Sequence, residues 1–203
     1  MGTGRLNDEM VDSNFPPGFC CLAQGGALSD TALIDARLFR STMGRFATGV
    51  TVVTVSHDDG HPHAMTVNAF LSISLDPPLV LVSLNNRSRM NTHLHLGGRY
   101  GINVLAASQE EHSRHFGGRP VEGLEVNWLP RLDTDAPLLD GCVAHIVARV
   151  VDIHPAGDHT LYIGHVEHLH YWERRPLLFF SGKYKQVEAH EPMNAWSISS
   201  EGW

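Results

Sequence analysis

AMTVNAFLSISLDPPLVLVSLNNRSRMNT, residues 64–92, is the stretch that decides how this chain reads. Its odd positions Met65, Val67, Ala69, Leu71, Ile73 and Leu75 are apolar, while its even positions carry Thr66, Asn68, Phe70, Ser72 and Ser74. Side chains alternate between the faces of a strand, so a period of two predicts a strand that buries the odd set and turns the even set outward. After LDPP, residues 79–84 are apolar on both faces, which predicts a central strand enclosed between layers. A short helix is expected around residues 90–96, ended by Gly97 and Gly98.

The even face needs an occupant. Thr66, Asn68 and Ser72 alone would suit a solvent-facing strand, but Phe70 among them asks for an apolar neighbour as well. The chain then returns through SLNNRSRMNT, which sets Ser83, Asn85, Asn86, Arg87, Ser88, Arg89, Asn91 and Thr92 ahead of the expected helix. Hydroxyls, amides, guanidinium groups and helix N-terminal N–H groups are what a phosphate requires. A flat, partly apolar, hydrogen-bonding ligand that ends in phosphate satisfies both ends, and a flavin nucleotide has that shape.

Outward from this stretch, residues 50–56 (VTVVTVS) are rich in β-branched residues and predict a strand. HDDGHP supplies the turn that pairs it with the opening strand. Upstream, Ala32, Ala36, Phe39, Met43 and Phe46 fall at helical spacing behind Ser29 or Asp30 as N-cap, which predicts a helix ending near residues 44–49. Downstream, YGINVLA predicts a strand, and Ser108 with Glu111 a capping box for a helix reaching Phe116. Further strands are expected at residues 124–132, 142–153, 160–171 and 177–180. Many strands with few helices and no βαβ alternation predict an all-β barrel.

At 203 residues the chain is long enough for one domain with a full core, here expected over residues 29–187. Residues 1–28, including FPPGFCCLAQGG, lack periodicity and are expected to form a disordered extension, with residues 188–203 as a C-terminal tail. A net charge of -7 argues against nucleic-acid binding, and no apolar run reaches the ~20 residues of a membrane span. No secretory signal is visible, and the three cysteines form no CxxC pair, so a cytoplasmic, reducing setting is expected.

GxGxxG, GxxxxGK, GxSxG and HExxH are all absent, which argues against dinucleotide folds, P-loops, α/β-hydrolases and zincins. Fourteen histidines, with His61 near His63, His93 near His95 and His168 near His170, raise a metal site. No third ligand stands at a recognisable spacing, so none is expected.

RFATGVTVVT (residues 45–54), MTVNAFLSISLDPPLVLVSL (65–84), INVLAASQ (102–109), GDHTLYIGHV (157–166) and PLLFFSGKY (176–184) occur in that order. Together they resemble the short-chain flavin reductases, the small components of two-component flavin-dependent monooxygenases, over residues 39–187. The resemblance implies a mainly β fold, the antiparallel Greek-key split barrel with peripheral helices, in a homodimer with flavin near the subunit interface. It implies reduction of FMN or FAD by NADH or NADPH and delivery of reduced flavin to a monooxygenase. It places Thr66, Val67, Asn68, Ala69 and Phe70 along the isoalloxazine, Ser83, Leu84 and Asn85 further along the flavin, and Ser88, Asn91 and Thr92 at the ribityl phosphate. His159 matches the family histidine beside the nicotinamide, and Tyr184 borders the same pocket. Arg45 is implied for a nicotinamide-nucleotide phosphate and Phe116 for covering the flavin. Asp158 reads as a turn-forming carboxylate.

Three other readings share these features: a non-catalytic flavin carrier, an FMN-dependent oxidase related to pyridoxamine-phosphate oxidases, and a metal-binding cupin-like barrel. The GDH turn and the TVNAF strand favour the reductase over the oxidase.

Overall fold

In the computed structural model, which describes residues 34–57, 61–130 and 135–187, the β-branched run TVVTV forms the strand β2 (Thr51–Val55) and is buried at every position. Val53 and Val55 pack into one apolar core, while Val52, with Val50 just before the strand, packs into a second. A strand buried on both faces is where β-branched side chains gain most. The chain divides into two compact units at Asp35. Ile34 and Asp35 are the described residues of the first, and every element below belongs to the second.

Helix α1 (Ala36–Met43) comes first, then β1 (Thr48–Gly49), β2, β3 (His63–Val67), β4 (Phe70–Leu75) and β5 (Pro78–Asn85). A 3₁₀ turn, Arg89–Thr92, leads to β6 (Arg99–Val104), and a second one, Ala107–Gln109, runs into α2 (Glu110–Phe116). The long strands β7 (Ala144–Ala156) and β8 (His159–Tyr171) follow, then β9 (Leu177–Phe180) and β10 (Lys183–Gln186). Seven strands form an antiparallel sheet in the order β3-β2-β6-β7-β8-β5-β4, and three form a smaller one, β1-β9-β10. The fold is therefore mainly β and antiparallel, as expected. Register shifts between Val147 and Ala148 and between Val150 and Asp152 interrupt the β7–β8 ladder, and such bulges bend long strands.

A buried polar network anchors the loop before β7. Thr54 Oγ1 donates to the Pro137 carbonyl (2.5 Å), and Asn103 donates to the Val52 carbonyl (2.9 Å) and accepts from the Leu139 N–H (2.7 Å). His145 Nε2 lies 2.7 Å from the Leu139 carbonyl, so that nitrogen carries the proton. Gly101 is required where the two meet, because a Cβ there would stand 2.5 Å from Thr54 Oγ1 and 2.8 Å from the Pro137 oxygen.

Several expectations change. The alternation over residues 64–75 is not one strand: Asn68 and Ala69 separate β3 from β4, and facing switches across them. Phe70, an even position, packs into the first core beside Met65 and Val67, while Leu71, Ile73 and Leu75 are exposed. Two residues outside the ladder re-aim the chain, which a count of alternating residues does not register. Strand β5 lies second from the edge rather than at the centre, and it buries only Val80, Val82 and Leu84.

Helix α1 starts at Ala36, after the non-helical Ile34 and Asp35, and the expected cap at Ser29 or Asp30 lies outside the described residues. The helix expected at residues 90–96 is the four-residue 3₁₀ turn. Ser108 and Glu111 form no cap. Instead Gln109 Oε1 accepts the Ala106 N–H, and α2 begins at Glu110. No strand runs over residues 124–130, where one isolated bridge pairs Trp128 with Leu139. The extension 1–28 and the tail 188–203 lie outside the described residues.

Candidate functional site

Among the described residues β3 pairs only with β2, at the edge of the sheet, and no described strand covers the other side of its backbone where it breaks at Asn68 and Ala69. Both of these residues are exposed. Thr66 and Asn68 line one cavity with Val50, Ser113, Phe179 and Tyr184. Thr66, Ser113, Phe179 and Tyr184 also line an adjoining cavity of about 500 Å³ that Arg114, Arg119 and Lys183 make cationic. The first cavity has mainly apolar walls with a few polar groups, the usual form of a cofactor site, while the larger one is mainly polar and also holds Glu110.

The walls are fixed by short contacts. Thr66 Oγ1 donates to the Ser113 carbonyl (2.8 Å), and the Ser113 and Tyr184 hydroxyls lie 2.9 Å apart, so β3, α2 and β10 are joined in one chain. A Cβ on Gly117, which caps α2, would stand 2.8 Å from the Ser113 carbonyl oxygen and 3.8 Å from Thr66 Cβ. Tyr184 meets Phe179 edge-on at 5.4 Å and carries the Arg114 guanidinium 5.0 Å over its ring.

The other half of the site lies where β5 and β8 end together. Ser83 N–H donates to the Ala69 carbonyl (3.0 Å), tying β5 to the break after β3. Asn85 is the ladder partner of His159. The GDH turn is clipped to the turn after β5: Asn86 N–H donates to the Asp158 carbonyl (2.9 Å), and Thr160 Oγ1 donates to Asn86 Oδ1 (2.8 Å). His159 Nδ1 lies 2.7 Å from Asp158 Oδ1, and this hydrogen bond holds the Asp158 carboxyl below its ordinary range. With Nδ1 engaged, Nε2 is the free ring nitrogen.

Thr66, Asn68, Ala69, Ser83, Asn85 and His159 thus follow one path along the β3 break and the β5–β8 end. Val67 and Leu84 also lie on it, but their side chains are buried, so only their backbone is presented. Phe70 and Phe116 point into the first and second cores. Arg45 sits apart with Arg40, Ser181 and Gly182 in its own cavity, and Gly182 is shared with the cationic one.

The 88–92 segment is committed internally. Ser88 Oγ accepts the Met90 N–H (3.1 Å) and lies 3.0 Å from Met65 Sδ. Asn91 donates to the Asn85 carbonyl (2.9 Å) and accepts from the Tyr162 hydroxyl (3.0 Å). Thr92 Oγ1 donates to the Arg89 carbonyl (2.8 Å).

Sequence reasoning passed over Ser113, Phe179 and Val50, and it read Asp158 as a turn-forming carboxylate without its bond to the His159 ring. The available signal was the Glu110, Ser113, Gly117 spacing on one face of α2. Among the described residues no three His, Cys, Asp or Glu side chains are placed to hold a metal. Burial pushes the Cys142 thiol up to about 12, which leaves it protonated and unreactive. No helix among the described residues is long and apolar enough to cross a membrane.

The flavin reductase like domain model matches residues 43–188. An NADH-dependent flavin reductase of a Rhodococcus species is 47% identical over 73% of this chain and 85% of its own length. The flavin-dependent monooxygenase reductase subunit HsaB of Mycobacterium tuberculosis is 38% identical over 78% of this chain and 86% of its own length. Among solved structures, the Streptomyces globisporus NADH:FAD oxidoreductase SgcE6, in complex with NAD and FAD fragments, superposes with a TM-score of 0.71. It is 35% identical, over 78% of this chain and 96% of that one.

Proposed function

The chain belongs to the flavin reductase like domain family, and from that premise we propose that it is an NAD(P)H-dependent flavin oxidoreductase supplying reduced FMN or FAD to a partner monooxygenase. The observation that carries the reading is the clip between the turn after β5 and the GDH turn, which sets His159 against Asn85 beside the open break of β3. The donor set suits a flavin: exposed backbone at Asn68 and Ala69, the Asn68 amide, and apolar walls at Val50, Phe179 and Tyr184.

A bound flavin would supply the hydride acceptor for a nicotinamide donor, so no protein nucleophile is required. This chain's part is to align two rings at about 3–3.5 Å and keep water out. Thr66 to Phe70 line the ring edge, chiefly through backbone, and N–H groups near Asn68 to Phe70 favour the anionic product. Ser83, Leu84 and Asn85 extend that edge toward the sugar chain. Asp158 holds the His159 ring, leaving Nε2 free to donate to or accept from the nicotinamide amide. Tyr184 closes the apolar side, and Arg45, beside the cationic cavity, suits a nucleotide phosphate. Because the product must leave for another enzyme, it is held weakly.

The working form is a homodimer. The exposed Leu71, Ile73 and Leu75 on the edge strand β4 form an apolar row of a kind that soluble chains cover. A cytoplasmic setting fits a donor of reduced nicotinamide. NAD(P)H oxidation measured with FMN, FAD and riboflavin in turn tests the reading; a carrier without catalysis would oxidise none.

A further inference from the structure

The hairpin that carries His159 reaches beyond the apolar core. Strands β7 and β8 meet at the Ala156–His159 pair, and Gly157 and Asp158 make a two-residue turn in which Gly157 takes the positive φ (62°). No side chain of residues 154–160 is buried, and those of His159 and Asp158 are 40% and 85% exposed. A hairpin end without apolar contacts frays unless hydrogen bonds hold it.

Those bonds come from the segment after β5. Thr160 and Tyr162 stand two apart on β8 and so share one face. Each donates its hydroxyl to an asparagine Oδ1 of that segment, Thr160 to Asn86 (2.8 Å) and Tyr162 to Asn91 (3.0 Å). Asn91 Nδ2 donates in turn to the Asn85 carbonyl (2.9 Å), and the Arg87 N–H donates to Asn85 Oδ1 (2.9 Å), so the segment is braced within itself. Asn86 also grips the turn. Its N–H donates to the Asp158 carbonyl (2.9 Å) and its Nδ2 to the Gly157 carbonyl (3.4 Å). One asparagine thereby holds Gly157, Asp158 and Thr160, the residues on both sides of the His159 ring.

Resting on the flavin reductase reading, we propose that Asn86 and Thr160 are positioning residues for nicotinamide use, which fix the GDH turn on the segment after β5 and through it the His159 ring. Neither supplies a proton or a charge; both set where the ring stands. With their bond made, the ring is ordered before NADH or NADPH arrives. Without it the hairpin still closes, through its ladder with β5 and the Asn86 N–H, but the ring is ordered only on binding. That ordering cost falls on affinity, so KM responds more than kcat.

Steady-state oxidation of NADH and of NADPH by the full chain, with FMN or FAD saturating, tests this. Thr160→Val removes the hydroxyl at nearly constant volume, Thr160→Ser keeps it, and Asn86→Ala removes the amide; each is measured with and without His159→Ala. Thr160→Val and Asn86→Ala should each raise KM for the nicotinamide donor by about threefold to tenfold, the worth of one net hydrogen bond. The change in kcat should be smaller, and Thr160→Ser should stay close to the parent. In the His159→Ala background neither substitution should raise KM further, because the ring they position is gone. Should Asn86→Ala fail to fold, the Thr160→Val and Thr160→Ser pair carries the test. Unchanged KM in Thr160→Val, a Thr160→Ser as impaired as Thr160→Val, or effects that multiply with that of His159→Ala overturn the proposal while an active parent leaves the reductase reading standing. A parent chain that oxidises neither nucleotide with any flavin overturns that reading and the proposal with it.

Discussion

Asn85 and His159 face each other as the last partners of the β5–β8 ladder, with Asp158 bonded to the histidine ring and Asn86 bonded to the Asp158 backbone. Two segments far apart in the chain thereby meet within a few ångströms, one proposed for flavin and one for nicotinamide.

Removing the ring at this meeting point should affect one substrate more than the other. His159→Ala is expected to raise KM for NADH or NADPH by about tenfold, with flavin Kd kept, because one ring contact of roughly 1–1.5 kcal/mol is lost. Asp158→Asn, which leaves the ring but loosens its hold, should show a smaller rise in the same constant. Steady-state kinetics with both nucleotides check this, and unchanged values would remove His159 from the site.

Asn68 is exposed at the break between β3 and β4. Asn68→Ala is expected to weaken flavin binding by about three- to tenfold, the worth of one net hydrogen bond, and to slow flavin reduction. Fluorescence titration and single-turnover reduction provide the measurements. Full affinity together with a full rate would rule out a direct role.

The scaffold behind the site is tight at Gly101. Gly101→Ala would force a methyl group against Thr54 Oγ1 and the Pro137 carbonyl, and such overpacking costs about 1–3 kcal/mol. Thermal unfolding should show Tm lower by roughly 2–4 °C for each kcal/mol lost. An unchanged Tm would mean that the loop before β7 gives way freely.

His145 is buried and its pKa is lowered from 6.5, chiefly by burial. The unfolded chain therefore takes up the proton first. Stability is complete above about pH 6.5 and falls as pH drops below that toward the folded value. The lowered His63 adds to the same slope. Urea midpoints across this range should decline toward acid, and His145→Gln should flatten part of the decline. A midpoint that rises toward acid would contradict the neutral tautomer.

Leu71 and Leu75 are 57% and 80% exposed on edge strand β4. Leu71→Glu with Leu75→Glu should turn a dimer into a monomer by sedimentation, with weaker flavin binding. A parent chain that already sediments as a monomer would contradict the proposed assembly.

The parts of the fold legible in the sequence were those with strong local signals. The Val-rich β2, the apolar β5 and the motif-bearing β8 and β9 stand where expected, because β-branched and apolar runs carry their own strand preference. The break at Asn68 and Ala69 was hidden, since the polar–apolar alternation continues unchanged through it while the backbone turns away. The commitment of Asn91 was equally invisible, because its partner Tyr162 is brought in from another strand. In sequence His63 and His93 stand out only as members of separate H-x-H pairs and Arg89 only within the polar run before the 3₁₀ turn; the three become a group when the β2–β3 hairpin folds beside the turn after β5. Asp158 read as a turn residue and turns out also to hold the His159 ring.

The most direct test of the central claim is anaerobic mixing of the purified chain with NADH and with NADPH in the presence of FMN, FAD or riboflavin, following the nicotinamide and oxidised-flavin bands together. The account predicts that both bands decline in equal molar amounts at a rate proportional to the chain's concentration. Flavin bound with no enzyme-dependent loss of nicotinamide absorbance, for any pairing of donor and flavin, would contradict it.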